Sequence, residues 1–175
     1  MRQFAEDPPV ERRLNDRLPD VGHTLASAES CTGGLIGSLV TDVPGASEYF
    51  DRTYVTYTYE AKLDLGVSRE GLDEHGAVSS PVAREMAQAA RDRAGTTWGV
   101  ATTGIAGPTG GSEAKPVGTV FIAVAHAADW GTQESYTRVE HLELEGDRLE
   151  IKEQISRRAL RTVELEFEEL VGRGE

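Results

Sequence analysis

The 175-residue chain has a single cysteine, Cys31, so it can form no internal disulfide and has no Cys-x-x-Cys pair for a metal or redox site. It also lacks an apolar leader near its N-terminus and any run of about 20 apolar residues, which argues against a signal peptide and a membrane helix. Its four histidines show no paired metal-ligand spacing. We therefore expect a cytoplasmic protein that uses no metal and no other cofactor.

Positive charge is scarce, and lysine is scarcer still. The chain has 30 acidic and 18 basic residues, a net charge of −12, and only three of the basic residues are lysines: Lys62, Lys115 and Lys152. Because there is no basic run and the overall field repels phosphate backbones and anionic lipid, we expect neither nucleic acid nor a membrane as partner. An acidic surface of this kind suits a solution of high ionic strength, in which salt screens the repulsion between carboxylates.

The pattern of apolar residues predicts one α/β domain over residues 1–175. Hydrophobic residues make up 38% of the chain, which is enough for a core, and strand-like segments alternate with helix-like ones without any repeat. Strand-like segments are residues 23–28, 49–58, 98–107, 118–127 and 135–144, and helix-like segments are residues 10–18, 35–40, 60–66, 80–95 and 147–172. The alternation predicts a mixed sheet with helices on both faces.

Three of these segments carry more detailed expectations. Residues 118–127 are nearly all apolar, which predicts a central strand, whereas residues 135–144 alternate apolar with polar, as an edge strand does. Ser80 followed by Pro81 predicts a helix start, with the serine as cap and the proline at the first helical position.

A polar and glycine-rich segment, ESCTGG, joins the first predicted strand to the next helix. Such a junction offers unpaired backbone N–H groups, and Gly33 and Gly34 let a ligand approach the main chain closely. Ser30 would stand where an oxyanion is held. The alternative is that Ser30 or Thr32 merely caps the helix and the glycines form a tight turn. Cys31 is a rival nucleophile, but no histidine base is fixed for it, which favours a small buried hydrophobic role.

The second candidate segment lies where the second predicted strand passes into a helix, and it contains Tyr59 and Lys62. A lysine acts as general base for a serine only when its amine is neutral, so its pKa must fall from about 10.4 towards neutrality. Arginine cannot replace it, because a guanidinium stays protonated. In a chain in which arginine fills most basic positions, Lys62 is therefore a candidate base. The alternative is a solvated lysine paired with a nearby carboxylate.

The third candidate segment is a glycine-rich loop that follows a buried strand. Backbone amides in such a loop can wrap a phosphate or a sugar. The glycine spacing matches neither a Walker loop nor the dinucleotide-binding fingerprint, so a plain surface loop is the alternative. The candidate binding residues of this segment are Gly104, Gly107, Gly110, Gly111 and Lys115.

Asp147 and Arg148 stand at the head of the last predicted helix. Asp147 is a natural N-cap, and the two-pronged guanidinium of Arg148 suits a phosphate or a carboxylate. On spacing alone, a cap with a solvated neighbour is the simpler interpretation.

Taken together and in this order, the segments AESCTGG, GAVS, TGIAGPTGG, KPVGTV and GDR resemble the CinA C-terminal domain family, also called the nicotinamide-nucleotide amidases. The resemblance runs from about residue 24 to residue 148. It implies a three-layer α/β/α sandwich with a mixed, mostly buried sheet that commonly self-associates, so we expect a homo-oligomer. It also implies hydrolysis of the carboxamide of nicotinamide mononucleotide to nicotinate mononucleotide and ammonia. Many members carry this unit behind a larger N-terminal domain.

By position, the resemblance implies that Ser30 is the nucleophile and Lys62 its general base, and that Tyr59, Thr103 and Arg148 complete the catalytic set. The implied substrate-binding residues are Cys31, Thr32, Gly33, Gly34, Gly104, Gly107, Gly110, Gly111 and Lys115. The expected partner is thus a small molecule, nicotinamide mononucleotide. Two alternatives stay open: a pyridine-nucleotide or phosphate-binding module without turnover, and a competence- or DNA-damage-associated helper, which fits poorly with the net charge of −12.

Overall fold

The computed structural model describes residues 3–172 and contains one five-stranded sheet covered by helices. The strands are β1 (Leu25–Glu29), β2 (Phe50–Val55), β3 (Trp98–Gly104), β4 (Thr119–His126) and β5 (Tyr136–Glu143). The helices are α1 (Val10–Asn15), α2 (Leu35–Thr41), α3 (Tyr59–Leu65), α4 (Arg69–His75), α5 (Ser80–Ala94) and α6 (Arg148–Gly172), with short 3₁₀ turns at Pro19–Val21 and Ala46–Glu48.

The sheet is mixed, and its parallel half brings three chain segments together. The strand order is β2-β1-β3-β4-β5; β1 is parallel to both β2 and β3, whereas β4 is antiparallel to β3 and to β5. The carboxyl ends of β1, β2 and β3 therefore lie at the same edge, the usual place for a ligand in sheets of this kind. The segments that follow them are the three that the sequence marks as candidate sites.

The two faces of the sheet are covered by separate helical layers, so the predicted three-layer α/β/α architecture is confirmed. On one face α1, α2 and α6 pack with the large apolar side chains of the sheet. On the other face α5 lies across β1, β3, β4 and β5, with α3 and α4 beside it. Gly99 in β3 allows the close approach of α5, because a Cβ there would clash with the carbonyl oxygen of Ala87. Within residues 3–172, no helix is both long and apolar enough to cross a bilayer.

Most elements lie where the apolar pattern predicts them, with two corrections. β4, the strand over residues 119–126, lies inside the sheet. The middle position that the sequence predicts for β4 is occupied by β3. α5 begins one residue earlier than expected: Ser79 is its N-cap, and the Ser79 Oγ donates to the Gly76 carbonyl oxygen at 2.8 Å instead of capping an amide. The edge position of β5 is as predicted.

The start of α6 is marked by a capping residue in the sequence, whereas the short helix α4 carries no such signal. Asp147 caps α6 as predicted, since its Oδ1 accepts from the N–H groups of Leu149 and Glu150 at 2.8 and 3.0 Å. α4 was not predicted: it is seven residues long, and Leu72 is its buried residue. A helix with one buried side chain carries no periodic signal.

We expect a cluster of two histidines and a tryptophan to make the stability of the fold dependent on pH. Trp98 Nε1 donates to His23 Nδ1 at 3.1 Å, and the rings of Trp98 and His126 lie 4.5 Å apart. Burial lowers the pKa of both histidines below the ordinary value. As the pH falls, the unfolded chain therefore binds more protons than the folded chain. The free energy of unfolding should fall as the pH drops below about 6.5.

Urea-induced unfolding at a series of pH values checks this prediction. The double variant His23→Gln/His126→Gln should lose most of the dependence between about pH 7 and about pH 5, whereas the exposed His75→Gln should keep it. An unfolding free energy of the wild-type protein that is level over this range would contradict the prediction.

Candidate functional site

The turn between β1 and α2 is built on a buried carboxylate. Glu29 is fully buried, and its oxygens accept the N–H groups of Gly34 at 2.9 Å, Ile36 at 3.1 Å and Gly37 at 3.0 Å. Gly33 and Gly34 have φ angles of 63° and 97°, a conformation that side chains rarely adopt. The carboxylate and the two glycines thus fix the main chain around the serine that follows β1.

Lys62 and Ser30 meet at the carboxyl edge of the sheet. α3 starts at a Thr58 cap, whose side chain accepts the Ala61 N–H at 3.2 Å, and it directs Lys62 inward. The Lys62 side chain is fully buried; its Nζ lies 3.0 Å from Ser30 Oγ and donates to the carbonyl oxygen of Thr56 at 2.7 Å. The burial lowers the pKa of Lys62 below its ordinary value.

The environment of Lys62 does not fit the alternative of a solvated lysine. In the described part of the chain no carboxylate lies within ion-pair distance of its Nζ, and both of its hydrogen-bond partners are neutral oxygens. A buried ammonium without a counter-charge is unfavourable, so this environment favours the neutral amine. Ser30 is itself 8% exposed, so its hydroxyl is nearly covered.

Two amides of the turn have no oxygen acceptor in the described part of the chain, although the Cys31 N–H contacts the sulfur of its own side chain. The N–H groups of Gly33 and Gly34 are engaged by acceptors of the turn itself. Within residues 3–172, no oxygen accepts the N–H of Cys31 or Thr32. These two donors directly follow Ser30 along the chain, so they are the candidates to bind an oxyanion formed by attack of its hydroxyl.

The side chains of Cys31 and Thr32 point into the protein. Cys31 belongs to the apolar core beneath α2, and burial raises the pKa of its thiol to about 12, so it is protonated near neutral pH and is a poor nucleophile. The hydroxyls of Thr32 and Thr102 lie 2.8 Å apart and are fully buried. Both residues can therefore contact a ligand only through their main chain.

Three predicted site residues converge on the segment that joins α4 to α5, residues 75–79. Tyr59 Oη accepts the Ala77 N–H at 3.2 Å, and Thr103 Oγ1 donates to the Ala77 carbonyl oxygen at 2.7 Å. The Lys115 ammonium donates to two further carbonyl oxygens of this segment, at 3.2 and 2.6 Å. In the structure these side chains hold the segment against α3 and β3 and are not hydrogen-bonded to the serine-lysine pair.

The glycine-rich loop after β3 contributes backbone to the same edge. Gly107 and Gly110 have positive φ angles of 76° and 91°, which favour glycine. A Cβ at Gly111 would lie 2.8 Å from the Val117 nitrogen. Glycine at this position therefore lets the loop pack closely against the segment that leads into β4. Gly104 is the last residue of β3 and packs against β4.

Arg148 ties α6 to this loop. Its guanidinium donates to the Gly107 carbonyl oxygen at 2.5 Å and to Tyr57 Oη at 3.2 Å. Arg148 and Gly107 border a pocket of about 310 Å³, which is lined by residues 106–108, Val117 and residues 146–149. Burial, and not the Arg148 charge, lowers the pKa of Lys62. Arg148 is exposed, which leaves it accessible to an anionic ligand.

Sequence reasoning missed the roles of Glu29 and Thr56. Glu29 belongs to a motif that the sequence marks, but its use as an internal acceptor for three amides appears only in the folded chain. The signal that points to it is a carboxylate between a buried strand and a glycine turn. Thr56 contributes a main-chain oxygen to Lys62, and no residue pattern encodes such a contact.

The site and the fold define an α/β protein in which a buried lysine faces a serine at the carboxyl edge of parallel strands. The sequence profile of the CinA C-terminal domain matches residues 7–167, and the chain therefore belongs to this family. A CinA-like protein of Chloroherpeton thalassium is 46% identical over 158 residues, which are 90% of this chain and 37% of that protein. The chain spans roughly a third of the length of the curated relatives it matches.

Solved structures agree with this assignment. The competence/damage inducible protein CihA from Agrobacterium tumefaciens superposes with a TM-score of 0.82 at 39% identity, over 88% of this chain and 91% of that one. A competence-damaged protein (CinA) superfamily protein from Enterobacter cloacae superposes with a TM-score of 0.82 at 30% identity, over 92% of each chain. The five-stranded α/β architecture described above is thus that of the CinA superfamily.

Proposed function

We propose that the chain hydrolyses the carboxamide of nicotinamide mononucleotide to nicotinate mononucleotide and ammonia, with Ser30 as nucleophile and Lys62 as general base. The observation that carries the proposal is the 3.0 Å separation between Lys62 Nζ and Ser30 Oγ, with the lysine fully buried. The substrate is taken from the resemblance to the nicotinamide-nucleotide amidases.

The Thr56 carbonyl oxygen sets the direction of the lysine lone pair. A neutral amine has two N–H groups and one lone pair, and one N–H is engaged by Thr56 at 2.7 Å. The lone pair can then face Ser30, whose hydroxyl donates to Nζ in this protonation state. As Ser30 Oγ attacks the carboxamide carbon, its proton passes to Lys62.

The rest of the cycle uses the same two side chains. The amides of Cys31 and Thr32 stabilise the oxyanion of the tetrahedral intermediate. When the carbon–nitrogen bond breaks, Lys62 returns the proton to the leaving nitrogen and ammonia departs. Water then attacks the acyl-enzyme ester, Lys62 accepts a proton from it, and that proton returns to Ser30 Oγ as the carboxylate product is released.

The rival in which the site binds a pyridine nucleotide without turnover makes a different prediction for one experiment. The purified chain is mixed with nicotinamide mononucleotide, ammonia is followed enzymatically, and binding is measured in parallel by calorimetry. The proposal expects ammonia from the wild-type protein and a loss of about 10³-fold or more in the Ser30→Ala variant, with binding retained. Binding without ammonia from the wild-type protein would support the rival, and full activity of Ser30→Ala would reject the proposed nucleophile.

A further inference from the structure

Lys152 is the lysine whose ammonium has no partner in the described structure. The Nζ of Lys62 contacts two oxygens, and the Nζ of Lys115 contacts two carbonyl oxygens. Within residues 3–172, the Lys152 ammonium has neither a hydrogen-bond acceptor nor a carboxylate within 4 Å, although its side chain is partly buried. The exposed Arg12 also forms no ion pair in the described structure, but Lys152 differs from it in being partly buried.

The other cations of α6 show that pairing is the rule on this helix. Arg157 binds Glu11 and Glu153, while the guanidinium groups of Arg158 and Arg161 bind other carboxylates. By contrast, the two cations nearest the start of α6, Arg148 and Lys152, form no ion pair in the described structure. Arg148 is also the first residue of α6, where the helix dipole opposes a positive charge.

The position of Lys152 places its charge at the glycine turn of the site. A Cβ at Gly33 would lie 3.7 Å from Lys152 Nζ, which is ordinary contact distance. Because Gly33 has no side chain, the ammonium stands directly over the main chain three residues after Ser30. Lys152 and Arg148 are four residues apart on one helix, so they share a face and point to the same edge of the sheet.

We propose that Lys152, with Arg148 beside it, binds the phosphate group of a nucleotide while the reacting group of that nucleotide lies at Ser30. A phosphate dianion supplies the counter-charge that both cations lack, and a lysine and an arginine are its usual side-chain ligands. The guanidinium of Arg148 keeps unused N–H groups after its bonds to Gly107 and Tyr57. The identity of the ligand rests on the proposed function; the existence of an anion site does not.

Two measurements on the Lys152→Gln variant test the proposal. In the first, binding of inorganic phosphate and of nicotinamide mononucleotide is measured by calorimetry, and the variant is expected to bind both about tenfold more weakly. In the second, KM for the mononucleotide should rise by about the same factor with kcat nearly unchanged, and the preference over the unphosphorylated riboside should disappear. Lys152→Arg should restore most of the binding, because it keeps the charge.

Arg12→Gln is the matched control, since it removes one positive charge from an exposed side chain on α1. It should leave both binding and KM unchanged. If Lys152→Gln binds phosphate and mononucleotide as the wild-type protein does, or if the wild-type protein does not prefer the mononucleotide over the riboside, the anion site is rejected. Phosphate binding that depends on Lys152 in a protein that releases no ammonia would keep the site and overturn the proposed function.

Discussion

Replacing Lys62 by arginine is expected to reduce ammonia release from nicotinamide mononucleotide by about 10²- to 10⁴-fold, the range that a general base contributes. The guanidinium keeps the positive charge but does not lose its proton, so it cannot accept one from Ser30. Loss of activity in this variant would therefore separate proton transfer from charge. The measurement is the steady-state rate of ammonia release at saturating substrate.

A second variant protects this test against a folding defect, because arginine is larger than the fully buried lysine that it replaces. Lys62→Met has a similar length and no charge, and it should be folded by circular dichroism but equally inactive. In the wild-type protein, the rate should rise with pH through the pKa of Lys62, which burial has lowered from its ordinary value. Retained activity in both variants would show that another group accepts the proton.

Replacing Glu29 by alanine should destabilise the protein by about 3 kcal/mol or more, because three amides lose their acceptor and each unpaired buried donor costs about 1–3 kcal/mol. The three amides belong to Gly34, Ile36 and Gly37, and the carboxylate that accepts them is fully buried. Such a loss is a large part of the total stability of a domain. Urea-induced unfolding measures it directly.

Two matched variants locate the cause of this loss. Glu113→Ala removes the same side chain from an exposed loop position, and it should change the unfolding free energy by less than about 0.5 kcal/mol. Glu29→Gln keeps one acceptor oxygen, so its unfolding free energy should lie between those of the two alanine variants. A Glu29→Ala protein as stable as the wild type would show that the amides find other acceptors. Glu29 would then not be the residue that fixes the turn.

The elements of the fold were largely readable from periodicity, and the exceptions have a common cause. α6 buries a continuous stripe of apolar side chains, and β5 alternates apolar with polar residues. The sequence predicts the bounds of both to within a few residues. α4 was missed because it buries one side chain. The sequence predicts Ser80 as the cap of α5 because Pro81 suits the first helical position, but in the structure Pro81 is the second residue of the helix and Ser79 is the cap.

For the candidate site, residue type and order in the sequence point to the candidate residues. The contacts of these residues with one another appear only in the folded chain. Lys62 was singled out because arginine cannot act as a base, and Ser30 because it precedes a glycine turn. The roles of Lys115 in substrate binding and of Tyr59 in catalysis stay predictions, and the structure shows that both side chains contact the main chain of residues 75–79. The contacts of Tyr59 with this segment span 18 positions in the sequence, and those of Lys115 span 40 and 37 positions.

The amino-acid sequence by itself determined the α/β architecture through local periodicity and the candidate residues through side-chain type, while the order of its motifs carried the resemblance to the family. Only the tertiary structure decided that Lys62 is buried against Ser30 and that the Lys152 ammonium has no partner within residues 3–172. The physical reason is that desolvation and charge pairing depend on atoms brought together from distant parts of the chain. A lysine has the same side chain in every protein, but its pKa is set by where the fold puts it.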